Sequence, residues 1–161
     1  MSELTALVIG ATGATGSALV TQLLEDSRFK SVVVFSRRPL LVSHSILTSH
    51  IVDFDNPQAW AHLVKGDVLF SALATTLKQA GSQKEQYKID YTYQYQTAAT
   101  AAANGVAKYV LVSAMGANAK SWLFYPRIKG ELDNAVAALP FKQIHIFRPG
   151  FLLRQPDKIR R

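Results

Sequence analysis

The chain has 161 residues, 48% of them apolar and 18% charged, with a formal net charge of +7. That is the length of one domain able to bury a core, and the balance excludes a disordered or low-complexity chain. It has no cysteine, which excludes a disulfide framework and a cysteine-based metal site.

The apolar run Leu4 to Ile9 predicts a buried first strand. Gly10-Ala11-Thr12-Gly13-Ala14-Thr15-Gly16 follows it, and Ser17 to Leu24 then carries apolar residues at helical spacing. Strand, glycine-rich turn and helix is the context in which such a motif binds a dinucleotide. Gly10 lets the chain turn, Gly13 lets backbone approach a pyrophosphate, and Gly16 lets the helix pack on the strand. The free N–H groups of Thr12 to Gly16 and the positive helix end would face the phosphates. The spacing is GxxGxxG rather than GxGxxG, and a tight turn without a ligand is the plainer alternative.

The helix is predicted to end near Asp26-Ser27, and Ser31 to Ser36 reads as the second strand. Ser36-Arg37-Arg38 then stands where the adenine ribose would arrive, about 20 residues past the glycine turn. An acidic residue there would accept from a free 2′-hydroxyl. A guanidinium instead pairs with a 2′-phosphate. NADP is therefore expected over NAD, against the alternative of two solvated loop charges.

Leu40 to Leu47 is polar and weakly patterned. Ser49 to Val52 is predicted as a short third strand, followed by Asp53-Phe54. Gln58 to Val64 reads as a short helix with Pro57 in its first turn, stopped by Lys65-Gly66. Val68 to Leu73 is the fourth strand. Ala72-Leu73-Ala74-Thr75-Thr76 lies at its C-terminal end, the edge where open α/β sheets bind ligands. Leu77 to Gln83 reads as a loop, and a long helix runs from about Lys84 to Asn104-Gly105.

Val106 to Ser113 holds the fifth strand, Ala114 to Ser121 a loop, and a helix runs from about Trp122 or Pro126 to Ala138. Phe141 to Phe147 is the sixth strand, broken by Arg148-Pro149-Gly150. Alternating strands and helices imply an α/β fold over residues 1–161: a doubly wound parallel sheet of Rossmann type, order 3-2-1-4-5-6.

Three residues form a candidate reactive set. Tyr125 and Lys129 share a helix face at four-residue spacing, and Ser113 ends the fifth strand at the ligand edge. Tyr125 would donate a proton, Ser113 would hold a substrate oxygen, and a nearby ammonium would favour the phenolate. Lys129 is also a candidate contact to the nicotinamide ribose. The spacing alone carries little information; position after the fifth strand carries more. An exposed tyrosine beside a solvated lysine is the alternative.

These features resemble the short-chain dehydrogenase/reductases of the atypical or extended kind, near the Tat-interacting-protein and nitrogen-metabolite-repressor-like groups. The resemblance spans the chain and rests on Gly10, Gly13, Gly16, Ser36 to Arg38, Asp53-Phe54, Ala72 to Thr76, Ser113, Tyr125 to Glu131 and Arg148 to Gly150. It implies that Asp53 bonds the adenine, that Ala72, Leu73, Ala74 and Thr75 line the cofactor, and that Ser113, Tyr125 and Lys129 are catalytic in active members. Many atypical members bind the dinucleotide with no established reaction.

Two departures bear on activity. Pro126 disfavours helical geometry in the residue before it, which places Tyr125 at a helix entrance. Family members usually continue for tens of residues past the Arg148-Pro149-Gly150 turn to close a substrate pocket, and that part is either absent here or not included in the sequence. Asp90 falls where active relatives often carry a relay asparagine, and a packing or surface role serves equally. Tyr87, Tyr91, Tyr93 and Tyr95 read mostly as helix packing.

No metal site is expected, because His44, His50, His62 and His145 lack ligand spacing. Met1-Ser2-Glu3 does not open a signal peptide, and no apolar stretch approaches spanning length, so a cytoplasmic setting without a membrane is expected. The basic residues are scattered except for Lys158-Ile159-Arg160-Arg161, so nucleic acid is not an expected partner. The expected partners are the dinucleotide and an unknown small substrate, with the oligomeric state open. Two functions follow: an NADP-dependent oxidoreductase of a small carbonyl or alcohol, or a catalytically silent dinucleotide-binding regulator or scaffold.

Overall fold

β1 (Leu4–Ile9) lies between β2 (Phe29–Ser36) and β4 (Val68–Ser71), parallel to both. The computed structural model describes residues 3–153; Met1-Ser2 and the basic tail 158–161 lie outside them. β3 (Leu47–Ile51), β5 (Lys108–Val112) and β6 (Gln143–Phe147) complete a six-stranded sheet. Its order is β3-β2-β1-β4-β5-β6, all parallel, as expected from the sequence. Central strands are covered on both faces and so read as unbroken apolar runs: Ala6, Leu7, Val8 and Ile9 have no exposed surface.

Strand alternation divides the core in two. Leu7 and Ile9 join Phe35, Trp60, Tyr109 and Leu132 on one face. Ala6 and Val8 join Val20, Leu23, Val32 and Val34 on the other, under α1 (Ala14–Glu25). The order in which strands are added reverses at β1, outward to β2 and β3 on one side and to β4, β5 and β6 on the other, which opens a crevice at the C-terminal end of the sheet.

Several boundaries differ from the sequence reading. The expected helix Gln58 to Val64 is two 3-10 turns, Pro57–Ala59 and Ala61–Leu63. Trp60 separates them: its indole N–H donates to the Asp53 carbonyl at 3.0 Å, and its ring packs on Phe35 and Phe54. That tertiary anchor outweighs local helix continuity. The expected loop from Leu77 contains a short helix, α2 (Leu77–Ala80). The Thr76 hydroxyl caps it by accepting from the Gln79 N–H, and Gly81 ends it at φ +86°.

The long helix is composite. α3 (Gln83–Tyr87), capped by the Ser82 hydroxyl on the Glu85 N–H, runs into a π-turn (Lys88–Thr92) and then α4 (Tyr93–Ala103). α5 (Phe124–Ala137) follows β5.

Candidate functional site: a dinucleotide groove and the adjoining tyrosine

The three glycines of the first turn do different work. Gly10 sits at φ +86°, a region that side chains disfavour, and a Cβ there would overlap the Ala72–Leu73 backbone at the end of β4. A Cβ on Gly16 would overlap the Gly10 carbonyl. Gly13 has an ordinary φ of −79°, and a Cβ there would meet only the Gly10 oxygen, at 3.4 Å. Gly10 and Gly16 therefore close the turn, whereas Gly13 faces open space.

Gly13 is the N-cap of α1, with no side-chain cap and no acidic residue in the first turn. Ala14, Thr15 and Gly16 form that first turn, which directs backbone N–H groups and the positive dipole end outward. In front lies a groove of about 910 Å³. Its floor is Gly10 to Gly13, one wall is Ala72, Leu73, Ala74 and Thr75, and the far lip is Arg37 to Val42. Ala14, Thr15 and Gly16 are not among its lining residues; what the groove offers a pyrophosphate is the Gly10 to Gly13 segment at the N-terminus of α1.

Arg37 and Arg38 are both exposed and line this groove. Ser36 is not among its lining residues: it is buried, and its hydroxyl donates to the Arg38 carbonyl at 2.7 Å. It shapes the arginine loop from beneath. Asp53 and Phe54 are likewise not among the lining residues. The Asp53 carboxylate accepts from the Asp55 N–H at 2.9 Å, which folds the turn after β3. The Phe54 ring stacks on Tyr93 within the core.

Nearby, Asp55 accepts from Lys88 Nζ and from the Tyr93 hydroxyl, at 2.8 Å each. The lysine bond first, and the tyrosine bond second, hold the Asp55 carboxyl below its usual range; burial opposes them, and Arg37 adds a smaller pull.

At the other end of the Ala72 to Thr75 wall lies a second cleft of about 360 Å³. Thr75, Thr76, Leu77, Gln83, Gln86, Phe124 and Tyr125 line it, so Thr75 belongs to both cavities. Tyr125 is the second residue of α5, at the helix entrance, and is 43% exposed. Pro126 costs α5 no hydrogen bond, because the first intrahelical donor is the Arg127 N–H, on Leu123. The Pro126 carbonyl accepts from Asn118 N–H at 2.9 Å, and Gly130 lies against the Asn118–Ala119 backbone so closely that a Cβ would overlap it. These contacts fix the start of α5 and hence Tyr125.

Lys129 is 2% exposed, and its Nζ lies 5.6 Å from the Tyr125 ring centroid. It is ion-paired with Asp90, which has no exposed surface, at 3.0 Å. Burial raises the Asp90 carboxyl above its usual range, against the pull of Lys129 and of hydrogen bonds from Thr75 and Gln86. Ser113, just past β5, is buried, and its hydroxyl has no hydrogen-bond partner among the described residues. The structure thus brings Tyr125 and Lys129 together and keeps Ser113 under the surface.

Sequence reasoning did not single out the lip residues Leu40 to Val42 or the groove residues Gln79 and Glu85. Nothing in the spacing of Leu40 to Val42 marks them, whereas Gln79 and Glu85 each close a capping-box spacing, from Thr76 and from Ser82. Helix α2, which supplies Gln79, was legible: Thr76-Leu77-Lys78-Gln79 is a capping-box pattern.

Residues 10–143 match the family described as NAD(P)H-binding. Among curated proteins, the chain is 40% identical over 156 residues to the protein FMP52, mitochondrial, of Candida glabrata, covering 95% of this chain and 66% of that protein. It is 36% identical over 160 residues to the Debaryomyces hansenii FMP52, covering 96% and 70%. The chain therefore spans about two thirds of the length of these relatives. Their names state a mitochondrial protein, which overturns the cytoplasmic expectation: a default drawn from a missing signal peptide does not address mitochondria.

Among solved structures, MoeE5 in complex with UDP-glucose and NAD superposes with a TM-score of 0.73 at 21% identity, over 89% of this chain and 53% of that one. Bordetella bronchiseptica WbmG in complex with NAD gives 0.76 at 14% identity, over 91% and 53%. These likenesses concern the fold.

Proposed function

The chain belongs to the NAD(P)H-binding family, and we propose that it is an NADP-dependent oxidoreductase of a small carbonyl or alcohol. The observation that carries this reading is the shared wall. Ala72 to Thr75 flanks the glycine-floored groove on one side, and Thr75 meets the cleft of Tyr125 on the other.

The residues suit the dinucleotide. The Gly10 to Gly13 segment at the N-terminus of α1 would take the pyrophosphate. Arg37 and Arg38 would take a 2′-phosphate, with bidentate geometry that an acidic residue could not offer. Lys129 and Ser113 line neither cavity and lie buried behind them, and the Ser113 hydroxyl has no hydrogen-bond partner among the described residues. The bound dinucleotide supplies or accepts hydride. Tyr125 donates the proton to the substrate oxygen or removes it from the hydroxyl, as a general acid–base. Lys129 Nζ lies 5.6 Å from the centroid of the Tyr125 ring. A mitochondrial setting belongs to this reading, given the relatives' names.

The second reading is a dinucleotide-binding protein without turnover. Two observations favour it: the Lys129 ammonium is engaged by Asp90, and Ser113 is covered. The deciding experiment follows NADPH consumption over a panel of small aldehydes and ketones, with Tyr125→Phe alongside. Turnover that depends on the Tyr125 hydroxyl supports the enzyme. Saturable NADPH binding with no turnover across the panel supports the binder.

A further inference from the structure

The two cavities that share Thr75 differ in charge. Arg37, Arg38 and Glu85 line the dinucleotide groove. The smaller cleft, of about 360 Å³, has no charged residue among those that line it, and its one titratable group is the Tyr125 hydroxyl. Leu77 is half-exposed, and with Phe124 and Tyr125 it gives the cleft apolar walls. Two polar neighbours are already engaged. The Thr76 hydroxyl accepts from the Gln79 N–H, and the Gln86 amide donates to the Thr75 carbonyl.

The cations around the cleft do not line it either. Lys129 Nζ is buried and paired with Asp90, and the Arg127 guanidinium donates to the carbonyls of Ser121 and Trp122. Lys78 and Lys84, next in sequence to Leu77 and Gln83, are exposed to solvent. An anionic group entering the cleft would shed water and gain no counter-ion, which is unfavourable. An apolar ring or short chain loses little there and gains contact. The walls are also held in place beforehand. Caps at Thr76 and Ser82 hold α2 and α3, and the backbone contacts of Asn118 with Pro126 and Gly130 hold the start of α5.

We propose that the Tyr125 cleft takes an uncharged carbonyl compound with a small apolar body and rejects carbonyl compounds that carry a carboxylate or a phosphate. The proposal rests on the oxidoreductase reading for turnover, and on the cleft alone for binding. In that reaction the carbonyl carbon gains a hydride from bound NADPH, leaving NADP⁺. The carbonyl oxygen gains the proton of the Tyr125 hydroxyl, which solvent restores.

The test uses three matched probes: para-methylbenzaldehyde, para-carbamoylbenzaldehyde and para-carboxybenzaldehyde. The last two have nearly the same shape and differ in charge. Rates are followed by NADPH consumption. Binding is followed separately by amide NMR shifts at Leu77 and Tyr125, with and without NADP⁺, where no reduction occurs. The expected order is methyl, carbamoyl, carboxylate, with the carboxylate below the carbamoyl compound by about tenfold or more in kcat/KM and in affinity. Leu77→Arg puts a cation in the wall at the exposed first position of α2. In that variant the carboxylate should gain on the carbamoyl compound by about tenfold. A carboxylate handled as well as its carbamoyl counterpart by the wild-type chain would overturn the proposal, and any turnover would leave the oxidoreductase reading standing. Absence of binding by all three probes, or an unchanged ratio in folded Leu77→Arg, would also overturn it. Selective binding of the neutral probes at Leu77 and Tyr125 with no turnover would overturn the oxidoreductase reading instead, and would support the assignment of the cleft.

Discussion

The backbone of Gly16 lies directly on the carbonyl of Gly10, with no room between them for even one carbon. That contact seats α1 against the end of β1, and it separates two kinds of glycine within one motif. Gly10 and Gly16 have no room for a side chain, whereas Gly13 has room for one and, in the proposed reading, stays bare for the ligand.

The separation predicts opposite outcomes. Gly16→Ala should destabilise the chain, because the new carbon meets backbone that cannot turn aside. Gly13→Val should keep its thermal midpoint close to wild type and lose NADPH binding. Midpoints and NADPH titrations on both variants check this. A Gly13→Val chain that is folded and binds normally would remove the pyrophosphate from that position.

Tyr125→Phe keeps the half-exposed ring and its place at the entrance of α5, and removes only the hydroxyl. If the chain turns over a carbonyl, the rate should fall about 10²–10⁴-fold with NADPH affinity little changed. Lys129→Met should lower both rate and affinity, since it also strands the buried Asp90 carboxylate. Steady-state kinetics with parallel titrations separate the two patterns. Equal effects from the two substitutions would contradict distinct roles.

Acid stability offers a check at a distance from the site. Hydrogen bonds from the Arg28 side chain and backbone lower the Asp26 carboxyl from 3.8 to about 2. A carboxyl depressed in the folded state contributes stability above its unfolded value and loses it as pH falls through its folded value. The gap in thermal midpoint between wild type and Asp26→Asn should therefore be present at neutral pH and close between about pH 4 and pH 2. A gap that persists at pH 2 would show that the substitution acts through something other than this charge.

Legibility followed the range of the interactions. The sheet was readable because buried parallel strands are apolar runs, as in Leu4 to Ile9 and Ser31 to Ser36, and because Gly10 to Gly16 follows the first of them. The strand order came with that motif. The Trp60 break was not readable, since it depends on where Phe35 and Phe54 arrive. Neither was the burial of Gln86, Asp90 and Gln94, which stand at four-residue steps along the composite helix: polar residues at helical spacing look like a solvated face until the fold turns them inward. Ser36 and Phe54 were expected beside the cofactor, yet one supports the arginine loop from below and the other fills the core. For both, side-chain direction was the missing information, because it depends on tertiary partners: the Arg38 carbonyl for Ser36 and the Tyr93 ring for Phe54.

The central claim is a dinucleotide groove whose lip reads a 2′-phosphate with Arg37 and Arg38. Its most direct test is a titration of the chain with NADPH and with NADH, repeated on the Arg37→Ala, Arg38→Ala double variant. The account predicts saturable binding of both, with NADPH tighter by about tenfold or more and the preference abolished in the variant. Equal affinities in the wild-type chain, or a preference that survives loss of both arginines, would contradict it.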